Sequence, residues 1–258
     1  NDSVDGGEGD DTVSGGEGAD TLLASAGDDT LVGGSGIDTV NAIRQSLVNG
    51  VLTDVTGNLV VNMSTGALTD TTVGGLGTDT FSEIENLVTG AGNDTVTGSS
   101  VSNLLQTGAG DDVIDAGAGN DTVQAGDGND VVFASAGNDS IVGGSGTDVL
   151  IAKVTQTVNN VTSDVTGNLV VNMATGTLTD TTVGGLGTDT FSEIENLQTG
   201  DGNDSILGSS GANAIDAGNG NNTLDGGGGA DTLTGGTGND VFIYDPTDSV
   251  VGLSLIHI

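Results

Sequence analysis

An aspartate recurs every nine residues along most of this chain, at Asp2, Asp11, Asp20, Asp29 and Asp38, then at Asp79. It returns at Asp94, Asp112, Asp121, Asp130, Asp139 and Asp148, at Asp189 and Asp204, and at Asp231 and Asp240. Asn103, Asn213 and Asn222 fill the remaining places in the register, so the position occurs nineteen times. A carboxylate set in a Gly-rich turn offers hard oxygen ligands, from its own side chain and from carbonyls that can curve around an ion. Ca²⁺ takes six to eight oxygens at 2.3–2.6 Å in flexible geometry, whereas Mg²⁺ demands a tight octahedron and keeps its waters. Calcium is therefore the expected ligand of these sixteen aspartates. Borderline and soft metals find no ligands here, because the chain has no cysteine and a single histidine.

The unit that carries the aspartate reads Gly-Gly-x-Gly-x-Asp-x-U-x, as in Gly6-Gly7-Glu8-Gly9-Asp10-Asp11-Thr12-Val13-Ser14. Counted from its first Gly, position 6 is the aspartate, and position 8 (U) is apolar all nineteen times, from Val4 to Phe242. An apolar residue flanked by Thr, Val, Ser or Asp predicts a three-residue β-strand with its centre pointing inward. The six preceding residues predict a turn with positive-φ backbone. Repeated every nine residues, strand and turn wind a parallel β-roll, an all-β solenoid with two strands per 18 residues.

Turns then alternate between two sides, and same-side neighbours lie 18 residues apart. An ion held between such neighbours would take one aspartate and several carbonyls from each. The pairs are Asp2/Asp20, Asp20/Asp38, Asp11/Asp29, Asp94/Asp112, Asp112/Asp130, Asp130/Asp148 and Asp121/Asp139. Asp79 and Asp94 are 15 apart, as are Asp189 and Asp204. A short connection through Glu83-Ile84-Glu85, with Phe81 and Leu87 both inward, would make these same-side pairs too. Nine dications would bring +18 against a net charge of -35. Asn213 and Asn222 spoil every pairing in the last block, and an amide oxygen is a weaker ligand for a hard cation. The stretch 204–240 is accordingly expected to hold fewer or weaker ions and to lose protection first as calcium is lowered.

Composition points the same way. Thirty-seven carboxylates face two cationic side chains, and aromatics are 2% of the chain. That is the balance of a disordered segment, whose apolar burial cannot offset the ordering of a backbone with 48 glycines. Folding is expected to need a ligand. The charge excludes nucleic acid and anionic lipid as electrostatic partners. No apolar run approaches the roughly 18 residues of a membrane span, so no membrane insertion is expected.

A longer period overlies the short one. Asp54–Met63 is identical to Asp164–Met173, and Leu68–Leu87 to Leu178–Leu197, both at an offset of 110. Residues 6–115 and 116–225 are thus tandem copies, followed by a partial third. The predicted organisation is β-roll repeats at 1–41, 74–151 and 184–243, with irregular coils at 42–73 and 152–183. In the irregular stretches, Asn58–Met63 and Thr65–Thr69 look like strand–turn–strand. Residues 244–252 are read as the start of a cap. Residues 253–258 break every pattern, are read as a non-native tail, and take the only histidine, His257, out of consideration. The chain opens in mid-repeat and is expected to be a piece of a longer protein.

The full nonapeptide resembles the repeats-in-toxin family of secreted bacterial proteins, with haemolysin-type calcium-binding repeats, over nearly all of residues 1–243. The segments Asp79–Leu87 and Asp189–Leu197 also look like a coil that recurs in that family. The resemblance implies a β-roll with calcium in its turns, export by type I secretion, and folding outside the cell. An extracellular, secreted or cell-surface location is expected, with a calcium-binding structural module, part of a repetitive adhesin or extender, as the leading role. The alternatives are an accessory module of an exported protease, lipase or epimerase, and an ice- or polysaccharide-binding face. For the last, Thr12, Thr21, Thr30 and Thr39 form partial ladders, but Val follows Asp112 and Asp130 and breaks the face. The target surface stays unnamed by the sequence. Nothing marks the chain itself as an enzyme: Glu83 and Glu85 have no catalytic partner and imply no pocket, and serine lacks a base. Its Gly-x-Gly-x-x-Gly matches are by-products of the repeat, without a strand–helix context or phosphate-binding lysine.

Overall fold

The computed structural model describes residues 1–251 apart from 49–50, 55, 73–74, 154, 159–160, 165–166, 182–184 and 244. The tail, and residues 244 and 252 of the cap reading, fall outside the described residues. Every regular element among those described is a β-strand, and no helix is long and apolar enough to cross a membrane. Two compact units result, Asn1–Asp130 and Val131–Ile258.

Each unit is a parallel β-roll. In the first, one sheet stacks the strands Ser3–Asp5, Thr21–Leu23, Thr39–Asn41, Asn86–Ala91, Leu104–Ala109 and Thr122–Asp127. All pairs are parallel, and the apolar centres stand in one row, Val4, Leu22, Val40, Leu87, Leu105 and Val123. In the opposite sheet Val13, Leu31 and Phe81 form one row, and Val61, Val96 and Ile114 another. The second unit repeats the plan: Val132, Leu150, Leu197, Ile215 and Leu233 align in one sheet. Position 8 is buried throughout except at Val4 and Phe242, which are half-buried.

The inward face is wider than one residue per repeat. Side chains of a strand alternate, so positions 6 and 8, and position 1 of the next repeat, all point inward. Asp20, Leu22 and Ala24 are 1%, 0% and 4% exposed. Thr107 and Ala125, at position 1, are equally buried. Apart from Asp2 and Asp11, the ladder aspartates therefore sit inside the roll at the corners of its apolar core, and not on a solvated rim.

Glycine is required where coils press on one another. Gly27 has φ of 140°, and a Cβ there would run into the carbonyl of Gly9 in the preceding coil. The short connection at 83–85 lacks a glycine, and Glu83 itself takes the left-handed conformation, φ 59°. Its tandem copy Glu193 does the same at 56°. Phe81 and Leu87 stand inward in opposite sheets on either side of this link.

Two features depart from the parallel plan. The strands Gln45–Val48 and Val51–Asp54 form an antiparallel ribbon outside the main sheets, as do Thr155–Val158 and Val161–Asp164. Leu59–Asn62 and Ala67–Asp70 form an antiparallel hairpin inserted into a main sheet, between Thr78–Ser82 and Thr95–Ser99. Leu169–Asn172 and Thr177–Asp180 repeat it.

Each apolar row is one layer thick, so a truncation leaves a cavity that only neighbouring coils can close. Leu105→Ala, at a wholly buried position, should cost about 2–5 kcal/mol. Urea unfolding at saturating calcium measures it, and a loss below about 1 kcal/mol would show that the roll collapses around the gap.

Candidate metal centre

The position-6 side chains form hydrogen-bonded ladders along each roll. One carboxylate oxygen, Oδ1, accepts from the backbone N–H of the position-6 residue one coil earlier. Asp11 N–H donates to Asp29 at 2.9 Å, and Asp29 N–H donates to Asp79 at 2.9 Å. Further along, Leu59 N–H donates to Asp94, Asp94 N–H to Asp112, and Asp112 N–H to Asp130, at 2.7–2.8 Å. On the other side Asp2 N–H meets Asp20, Asp20 N–H meets Asp38, and Asn103 N–H meets Asp121. In the second unit Asp139 N–H donates to Asp189, and Leu169 N–H to Asp204, both at 2.9 Å. Asn213 N–H donates to Asp231 at 2.8 Å, and Asn222 N–H to Asp240 at 2.9 Å.

The second oxygen, Oδ2, is left over. At Asp11, Asp20, Asp38, Asp79, Asp94, Asp112, Asp189, Asp231 and Asp240 it is buried and has no hydrogen-bond donor. A buried, half-satisfied carboxylate is costly, and a row of them more so. What surrounds these oxygens is more oxygen. Where a Cβ would stand on Gly15, Asp20 Oδ2 lies at 2.6 Å and the carbonyl of Gly33, one coil on, at 2.7 Å. Beside Gly33, Asp38 Oδ2 and the carbonyl of Glu83 share the same corner.

Asn222 shows what belongs in that corner. Its Oδ1 accepts from Asp204 N–H as an aspartate would, while its Nδ2 donates to the carbonyls of Ala217 (3.3 Å) and Gly235 (3.1 Å). Where the amide presents hydrogens to two position-1 carbonyls, an aspartate presents an anionic oxygen. At neutral pH and above, where the carboxyl is ionised, a cation reconciles the aspartate with those carbonyls. Among the described residues no group of three or more carboxylate or histidine side chains converges. The ligand set is thus mixed, one carboxylate per turn with backbone carbonyls, which suits calcium.

Burial is the main cause of the carboxyl shifts. It pushes Asp79 and Asp189 up to about 7 and Asp94 and Asp112 up to about 6. Like-charged neighbours add to it: Asp29, Asp28 and Asp70 at Asp79, and Asp54 and Asp70 at Asp94.

The 15-residue pairs need correction. Asp79 and Asp94 are not ladder neighbours, because the hairpin Leu59–Asp70 enters the sheet between them. Leu59 supplies the N–H for Asp94, and Asp70 closes on itself through Thr72 and Leu76 N–H. Asp189 and Asp204 are separated in the same way by Leu169–Asp180. Asp121 and Asp130 are buried in the first unit, Asp139 and Asp148 in the second, so the pairs Asp121/Asp139 and Asp130/Asp148 have one member in each. Asp2 is exposed and Asp11 half-buried. Glu85 and Glu195 are ladder members that the nine-residue spacing does not show. Glu85 Oε2 accepts from Asp38 N–H at 2.9 Å, and Glu195 Oε2 from Asp148 N–H at 2.8 Å. Their signal was the shortened link itself, which leaves no aspartate at that rung and places a longer side chain there.

Comparison with known proteins agrees with this geometry. The model of the RTX calcium-binding nonapeptide repeat matches residues 1–40, overlapping windows spanning 81–150, and two more spanning 191–242. That is more than half of the chain. The protein belongs to the RTX calcium-binding repeat family. The stretches left unmatched between these windows, 41–80 and 151–190, are those that carry the ribbons and inserted hairpins. No curated protein matches the chain.

The raised carboxyls set a pH dependence for the calcium-free RTX roll. The folded chain holds these protons more tightly than the unfolded chain, whose carboxyls titrate near 3.8. Their contribution to stability is complete below that value and is lost as pH rises through 6 to 7. In calcium-free buffer the chain should therefore show more β-signal at pH 5 than at pH 7.5. Equal or greater β-signal at pH 7.5 would mean that the ladder carboxylates are already compensated without metal.

Proposed function

We propose that this chain is a structural module that folds on binding several calcium ions outside the cell, serving as an extender or adhesive stalk of a larger exported protein. The row of buried, donorless Oδ2 atoms facing backbone carbonyls carries this reading. Asp20, Asp38 and Asp112 would hold ions through Oδ2, with position-1 carbonyls completing the shell. Calcium supplies the positive charge that lets these carboxylates stay ionised while buried.

Extracellular modules bind calcium at about 10⁻⁴–10⁻³ M, the level met outside cells. A chain with a net charge of -35 stays expanded by self-repulsion until that charge is compensated. Each site at tenfold over its Kd adds about 1.4 kcal/mol, so several sites acting together make folding a steep function of calcium. The tandem copies at an offset of 110 supply length without new chemistry, which supports the extender role.

Far-UV circular dichroism should show coil in EDTA and β-structure in millimolar Ca²⁺, with Mg²⁺ a poor substitute. Equal β-content with and without chelator would overturn the reading. Asp112→Ala should raise the calcium midpoint severalfold, because Asp112 is a rung between Asp94 and Asp130. Asp115→Ala, at an exposed position of a strand, should leave the midpoint unchanged.

A further inference from the structure

Three ladder positions hold an amide, and each donates a hydrogen bond to a backbone carbonyl, which an ionised aspartate cannot do. Asn222, 1% exposed, accepts from Asp204 N–H and donates through Nδ2 to Ala217 and Gly235 carbonyls. Asn103 and Asn213 occupy equivalent places in the two tandem copies and are both 4% exposed. Asn103 Oδ1 accepts from the N–H and the hydroxyl of Ser99, and its Nδ2 donates to the Glu85 carbonyl at 2.7 Å. Asn213 repeats this with Ser209 and the Glu195 carbonyl, also at 2.7 Å. The orientation of each amide is set by its surroundings, with N–H groups at one end and a carbonyl at the other.

We infer that Asn103, Asn213 and Asn222 close their turns without metal, because protein partners satisfy both polar atoms of each amide, so that these turns are the last to open when calcium falls. The inference rests on the calcium-dependent folding proposed above and concerns its order along the chain. At an aspartate turn, removing the cation leaves a buried anionic oxygen among carbonyls, as at Asp20, Asp38 and Asp112. The position then loses its compensation outright. At an asparagine turn the same withdrawal removes nothing, since both polar atoms already have protein partners. The amide is a poorer ligand, as its chemistry suggests, but it needs no ion. The stretch 204–240, expected from ligand strength to lose its order first, should by this geometry hold longest.

The placement gives the amides a use. Asn103 and Asn213 each lie one coil beyond a shortened link, on the Glu85 or Glu195 rung. There the ladder changes from aspartate to glutamate, and a metal-independent bond keeps the coils in register. One such lock per tandem copy would leave a nucleus from which ion-dependent turns rewind when calcium returns.

Hydrogen exchange of the full chain at graded free calcium tests this, with bound calcium counted in parallel by metal analysis. Wild-type amides of 213–235 should become half-protected at severalfold lower calcium than those of 11–38, where every ladder residue is aspartate. Asn222→Asp should raise the midpoint of 213–235 to that of 11–38 and add bound calcium. Asp112→Asn, the reverse exchange, should lower the midpoint of 94–130 and reduce bound calcium. If Asn222→Asp does not fold at saturating calcium, Asp112→Asn decides alone. Wild-type midpoints that coincide, or an Asp112→Asn midpoint that stays or rises, would overturn the inference. A wild-type chain that binds no calcium would instead overturn the proposed function.

Discussion

Everything in this structure turns on a carboxylate that is buried with only half of its hydrogen bonding satisfied. Oδ1 of each ladder aspartate ties its coil to the one before, through a backbone N–H that would otherwise be orphaned at the corner of the roll. That bond fixes register between coils. At rungs such as Asp20 and Asp38 the same geometry drives Oδ2 against backbone carbonyl oxygens, where no protein donor reaches it. The group that aligns the coils is thus also the one left uncompensated, and a bound cation would compensate it.

Small side chains follow from that arrangement. Position 1 must be Gly, Ala or Thr because the aspartate five residues later lies against it, as Asp20 lies against Gly15 and Asp240 against Gly235. Glycines at the turn tips let coils approach until their carbonyls point into shared space, as Gly27 does over Gly9. Apolar volume per coil is small, a single row of Val, Leu or Ile in each sheet. The calcium-dependent folding proposed above would suit so thin a core.

Much of this was legible in the sequence, for a physical reason. A period of nine with one obligatory apolar residue admits few structures, and the rows from Val4 to Val123 follow the spacing alone. The ladder was legible wherever coils keep constant length. It failed where they do not, since spacing identifies neighbours only in a regular helix of coils. Leu59–Asp70 could be read as strand–turn–strand, but not as two strands wedged between Asp79 and Asp94. Which strand a hairpin pairs with is a tertiary choice. Glu85 was hidden because one extra methylene lets it reach from a shortened link. The asparagines looked like defective ligands until their Nδ2 partners were seen.

The most direct measurement is the location of the ions themselves. Crystals grown in calcium, with anomalous scattering recorded to place the metal, should show ions inside the corners of the roll. Each should lie against Oδ2 of Asp20, Asp38 or Asp112 and against backbone carbonyls of adjacent coils, with none at Asn222. Ions seated instead on the exposed outer row of Asp10, Asp28 and Asp111, with the inner Oδ2 atoms uncoordinated, would contradict the buried ladder as the calcium-binding element.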